Sequence, residues 1–123
     1  MATLADRVFD FGLNVLDTEA NRVDICSQEP TTYTEATSTY TLGNATSITI
    51  SSPADGTPSG RKVVLSAITA ASVTGTGTAT HYAIVDTVNS RLLATGALAS
   101  SQGTTSGGTW DLGEVTITLT DPA

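Results

Sequence analysis

Read for alternation of apolar and polar side chains, the chain divides at Asn21. Before it, Leu4, Val8, Phe11 and Val15 recur at i, i+4, i+7 and i+11, the stripe of an amphipathic helix. Thr3 followed by Asp6 resembles a capping box, and Asn21 stands where a helix can close. The same stretch also reads as a half-buried strand, because Phe9, Phe11, Leu13 and Val15 alternate with Asp10, Gly12 and Asn14. Gly12 weakens a helix by roughly 1 kcal/mol relative to alanine. The helical stripe is longer and has a start signal, so residues 1–21 are expected to form an N-terminal helix or arm.

After Asn21 the pattern is that of strands. RVDIC sets Val23 and Ile25 on one face. SQEPTTYTEATSTYTLGN lacks core periodicity, and its two tyrosines and a proline after Glu29 predict an ordered loop. SITIS predicts a short strand with Ile48 and Ile50 together, and SSPADGTPSG is turn chemistry. RKVVLSAI restarts the sheet with Val63, Leu65 and Ala67 on one face and Val64 and Ile68 on the other. ASVTGTGTA predicts a strand with a bulge or bend.

A ribbon follows, with strands near 80–86 and 91–98 joined by a turn through Val88, Asn89 and Ser90. ASSQGTTSGG reads as a loop. WDLGEVTITLTD has the cleanest alternation, Val115, Ile117 and Leu119 against Thr116, Thr118 and Thr120. Short strands at near-regular spacing predict a mainly β fold, an antiparallel β-sandwich or jelly-roll-like barrel over 22–123, in a single domain spanning 1–123. No fixed-period repeat is present.

Composition narrows the partners. Only 14% of the 123 residues are charged, against about a quarter in ordinary domains, and twenty-four are threonine, which suits pleated strands. A net charge of −7 with five scattered basic residues argues against nucleic acid and against anionic membranes. No apolar run approaches the ~18 residues of a membrane span, and the N-terminus lacks a signal-peptide pattern, so synthesis in the cytoplasm is expected. Asn44-Ala45-Thr46 matches a glycosylation sequon and is read as a loop.

Candidate chemistry is thin. Cys26 has no partner for a disulfide and is expected to be a small buried hydrophobe. His81, the only histidine, shares a strand face with Ala83 and Val85 and lacks a recognisable nucleophile elbow, so it is read as one rung of the ribbon. One histidine and one cysteine do not assemble a zinc site, and no calcium loop is present. The GTGTAT run lacks the third glycine of a dinucleotide fingerprint, and no spacing selects a carboxylate pair. No catalytic residue, metal or cofactor is expected, and the chain is not read as an enzyme. Trp110 suits either a core anchor or a protein–protein contact, and Tyr33 and Tyr40 in the polar loop share both readings.

CSQEPTTYTEATSTYTLGN, SPADG with SGRKV, GTATHYAIVDTVNSRLLATGAL and the closing DPA resemble a family of small tailed-bacteriophage proteins encoded among the virion structural genes. The resemblance runs from about Ile25 to Ala123, with a looser match to a preceding helix. It implies a virion component with a β-sandwich-like fold and carries no functional residues. The expectation is a capsid decoration (cement) protein on the outer face of the head. Its partners would be the major capsid protein and its own copies, clustered as trimers. A neck, tail or fibre component is the alternative, and a carbohydrate-binding module stacking on Trp110 and the tyrosines ranks third.

Overall fold

The computed structural model describes residues 6–56 and 60–119, with side chains from Gly12 onward. In chain order the elements are α1 (Asp6–Glu19), β1 (Arg22–Cys26), a π-helical turn (Glu35–Thr39), β2 (Thr41–Ala45), β3 (Ala54–Asp55), β4 (Arg61–Leu65), β5 (Ile68–Ser72), β6 (Gly77–Asp86), β7 (Arg91–Thr104), β8 (Thr109–Leu112) and β9 (Val115–Leu119). The fold is mainly β and antiparallel with one short N-terminal helix, and no sheet closes into a barrel among the described residues. The chain forms two compact units, each assembled from separated segments.

The first unit holds α1, the segment Thr49–Ala67 and the last strand. Its sheet has the order β3-β4-β9, with Val63 opposite Ile117 and Leu65 opposite Val115. α1 packs against β4, whose Val63 and Leu65 are buried. The helix is present, but its core-facing residues are Leu13 and Leu16, while Val15 is 37% exposed. Thr3, Leu4 and the side chains of Val8 and Phe11 lie outside the described residues, as does Thr120. SITIS does not form a strand of its own. Ile50 makes a single bridge to Leu65, flanked by hydrogen bonds from Ser51 N–H to the Val64 carbonyl and from Ser66 N–H to the Thr49 carbonyl. Pro53 offers no N–H to a ladder, and regular pairing resumes only at Ala54.

In the second unit a four-stranded sheet runs β2-β1-β6-β7, beside a two-stranded ladder of β5 and β8. β1 is buried on both faces: Val23 and Ile25 on one, Asp24 and Cys26 on the other. Residues 27–40 cover the Asp24 and Cys26 face, where Ala36 packs with Cys26, Ala83 and Val85 and is ringed by Tyr33, Tyr40 and Leu92. The stretch predicted as one loop therefore holds a π-helical turn and most of β2. RKVVLSAI also divides, into β4 and β5, and the two halves belong to different units. ASSQG, expected as loop, continues β7 to Thr104.

The ribbon of β6 and β7 turns where predicted. Asp86 accepts from the backbone N–H groups of Val88 and Asn89 and from the Asn89 side-chain amide at 2.8 Å, and Ser90 takes left-handed backbone at φ 55°. The Asn89 side-chain hydrogen bond, then the backbone donors and Arg91, hold the Asp86 carboxyl below its ordinary range against the opposing effect of desolvation. A carboxyl lowered by folding stabilises the native state above its unfolded pKa of about 4, and that contribution is lost as pH falls through the folded value. Asp86→Ala is therefore expected to lower stability at pH 7 and to flatten the decline of stability below about pH 4, read from denaturant titrations across the acid range. An acid limb identical to that of the wild type would count against this lock.

Candidate functional site

The residues with chemical potential gather on the face of the four-stranded sheet that residues 27–40 cover. Period-two alternation brings Arg22, Asp24 and Cys26 to the same side of β1. Cys26 is the cross-strand neighbour of His81 on β6, and Asp24 of Ala83.

Asp24 is fully buried and carries three bonds. Arg22 Nε donates to Oδ1 at 2.7 Å, Arg22 Nη2 donates to Oδ2 at 2.8 Å, and the Thr41 hydroxyl donates to Oδ2 at 2.6 Å. The hydrogen bond to Asp24 raises the Arg22 pKa above its ordinary value, partial burial opposes it, and the charges of Asp24 and Tyr33 add to the rise. A bidentate guanidinium–carboxylate pair is the strongest polar contact available to a side chain here.

The covering segment is closed by its own threonines. Thr31 donates through its backbone N–H and its hydroxyl to Glu35 Oε1, both at 2.8 Å, and Thr32 Oγ1 accepts from Glu35 N–H. The Thr31 N–H and hydroxyl, with smaller help from Tyr40 and Thr32, lower the pKa of the half-buried Glu35 carboxyl. Tyr40 N–H donates to the Glu35 carbonyl, and Ser27 N–H donates to the Tyr40 carbonyl, which shuts the loop. Its start is pinned to β6 by the Thr80 hydroxyl, which donates to the Ser27 carbonyl at 3.0 Å. His81 Nδ1 lies 2.9 Å from the same hydroxyl, and Nε2 lies 3.6 Å from Glu29 Oε2.

Cys26 sits beneath this cover, its thiol directed at the Ala36 carbonyl 3.6 Å away. Burial first, and the Asp24 charge second, push its pKa up to about 12. A thiol pushed up to about 12 carries far less thiolate near neutrality than a free cysteine, and the thiolate is the reactive form. In native protein at pH 8, Cys26 is expected to resist a disulfide reagent and to react fully once denaturant unfolds the chain. Because folding raises this pKa, its contribution to stability is complete below the unfolded thiol value of about 8.5 and is lost as pH rises toward 12. Desolvation also raises the pKa of the Tyr82 phenol, so Cys26→Ala should remove only part of the alkaline decline. Rapid native-state labelling at pH 8 would contradict this geometry.

The structure brings Tyr33 and Tyr40 to one cluster, half-buried at the rim of Ala36. Trp110 stands apart at 2% exposure, its Nε1 donating to the Ser72 carbonyl at 3.1 Å. The indole passes over Gly43, the cross-strand partner of Ile25; a Cβ there would meet Ser72 O at 2.6 Å and the indole at 2.7 and 2.8 Å. Trp110 therefore has no open ring face for a ligand. The sequence reading missed the Arg22–Asp24–Thr41 network, although the R-x-D spacing on a strand signals it. Among the described residues no three His, Cys, Asp or Glu side chains could hold a metal ion, and no helix is long and apolar enough to cross a membrane. No protein-family model, curated protein or solved structure matches the chain.

Proposed function

We propose that this chain is a structural component of a phage particle, a decoration protein that binds the outer face of the head through the major capsid protein and strengthens the shell. The observation that carries the building-block reading is how the reactive groups are engaged. Asp24, Arg22, Cys26 and His81 all lie where the cover meets the sheet, in bonds that hold it rigid or in packing beneath it. The resemblance of residues 25–123 to phage virion proteins supports a role as a component of the particle. Many copies of a small rigid domain add buried area between capsid subunits, with about 800 Å² per partner needed for a stable contact. Clustering of copies multiplies weak contacts through avidity. A surface of net charge −7 also discourages particles from clumping.

Counting copies in purified particles by gel densitometry tests the reading. Decoration requires a copy number comparable to the major capsid protein, and heads that lose heat resistance when the chain is deleted. A few copies per particle would move the chain to the neck or tail, and absence from particles would end the virion reading.

A further inference from the structure

Among the described residues β9 is an edge strand with one unpaired side. β9 is the last strand of the β3-β4-β9 sheet, and among the described residues no strand or backbone hydrogen bond occupies its outer side. Natural edge strands are commonly blunted by charge, proline or a bulge. β9 has none of these: VTITL is uncharged, and its register with β4 runs without a shift from Leu119 to Val115.

The strand also carries an exposed apolar side chain. Leu119 is 38% exposed, and a Cβ at the exposed Gly12 of α1 would stand 3.9 Å from its Cδ1.

We infer that β9 pairs with β9 of a second copy, antiparallel about a two-fold axis through Ile117. In that register Ile117 faces itself, Val115 faces Leu119 and Thr116 faces Thr118, so apolar side chains meet apolar ones and threonine meets threonine. Such cross-strand pairs are the unit of sheet stabilisation, and a two-fold interface requires a surface that complements itself. The absence of charge matters because copies of a chain with net charge −7 otherwise repel one another. Pairing joins two three-stranded sheets into one of six strands and covers Leu119. This two-fold interface departs from the trimers expected from the sequence and holds whatever surface the chain binds.

Sedimentation equilibrium of the full chain tests it with a pair of variants. Thr116 and Thr118 are both exposed, so substitutions there leave the unit's core intact. The wild type is expected to be a concentration-dependent dimer. T116K/T118K places lysine opposite lysine at both pairs and should yield a folded monomer whose unfolding midpoint no longer depends on protein concentration. T116K/T118E places lysine opposite glutamate of the other copy at both pairs and should restore the dimer. A monomeric or trimeric wild type, a dimer that survives T116K/T118K, or a T116K/T118E chain that stays monomeric would each overturn the proposal.

Discussion

Trp110→Ala should cost about 3–5 kcal/mol of unfolding free energy, the range for deleting a large buried aromatic. The indole is 2% exposed, and its loss removes three things at once. Packing area disappears, a cavity opens above Gly43, and the Ser72 carbonyl loses its Nε1 donor. Trp110→Phe separates these contributions. It keeps most of the ring and leaves the carbonyl unpaired, so its cost should be smaller, about 1–3 kcal/mol. Gly43→Ala attacks the same contact from the other side, by forcing a Cβ into the indole and the Ser72 carbonyl. In the Trp110→Ala background half of that collision is gone, so the two substitutions should be non-additive, with the double variant more stable than the sum predicts. Urea titrations followed by far-ultraviolet circular dichroism give all four values. A loss below about 1 kcal/mol for Trp110→Ala, the level of an ordinary surface substitution, would show that the indole is not packed as described.

The elements that could be read in advance are those whose burial is one-sided. β9 alternates because one face of its sheet is partly covered, and the ribbon of β6 and β7 announces itself through the Asp86–Ser90 turn chemistry. Where both faces are covered, alternation fails as a guide. RVDIC looked like a strand with one apolar face, yet Asp24 and Cys26 are as buried as Val23 and Ile25, because residues 27–40 fold over them. That cover has no apolar period to detect, since threonine hydroxyls and Glu35 hold much of it together. The breaks at Ser66-Ala67 and Gly113-Glu114 were also hidden, because apolar residues continue on both sides while the chain passes from one unit to the other. The helix was visible, but Gly12 and Val15 lie on its exposed side, which shifts the buried stripe to Leu13 and Leu16. Of the candidate site, His81 as a strand rung and Cys26 as a buried thiol were legible from their neighbours. The partners of Asp24 were not, because Thr41 reaches it from seventeen residues away.

Asp24→Ala should be the other severe substitution. The carboxylate is fully buried and holds both Arg22 and Thr41, so its removal strands a guanidinium. Arg22 stays charged, since an arginine does not shed its proton under these conditions. Breaking one side of a buried ion pair costs roughly 3–5 kcal/mol, and the 22% exposure of the Arg22 side chain places this case at the lower end, because water can reach part of the cation. The informative comparison is the double substitution Arg22→Leu with Asp24→Leu. If the cost of Asp24→Ala comes from an unpaired charge, removing both charges should recover most of the lost stability, since apolar replacements of buried pairs are often neutral or stabilising. If instead the network fixes how the cover closes, the double variant should recover stability while exposing Cys26 to a disulfide reagent at pH 8. A single Asp24→Ala variant within about 1 kcal/mol of the wild type would reduce the pair to the value of an ordinary surface salt bridge, and the clamp described here would lose its anchor.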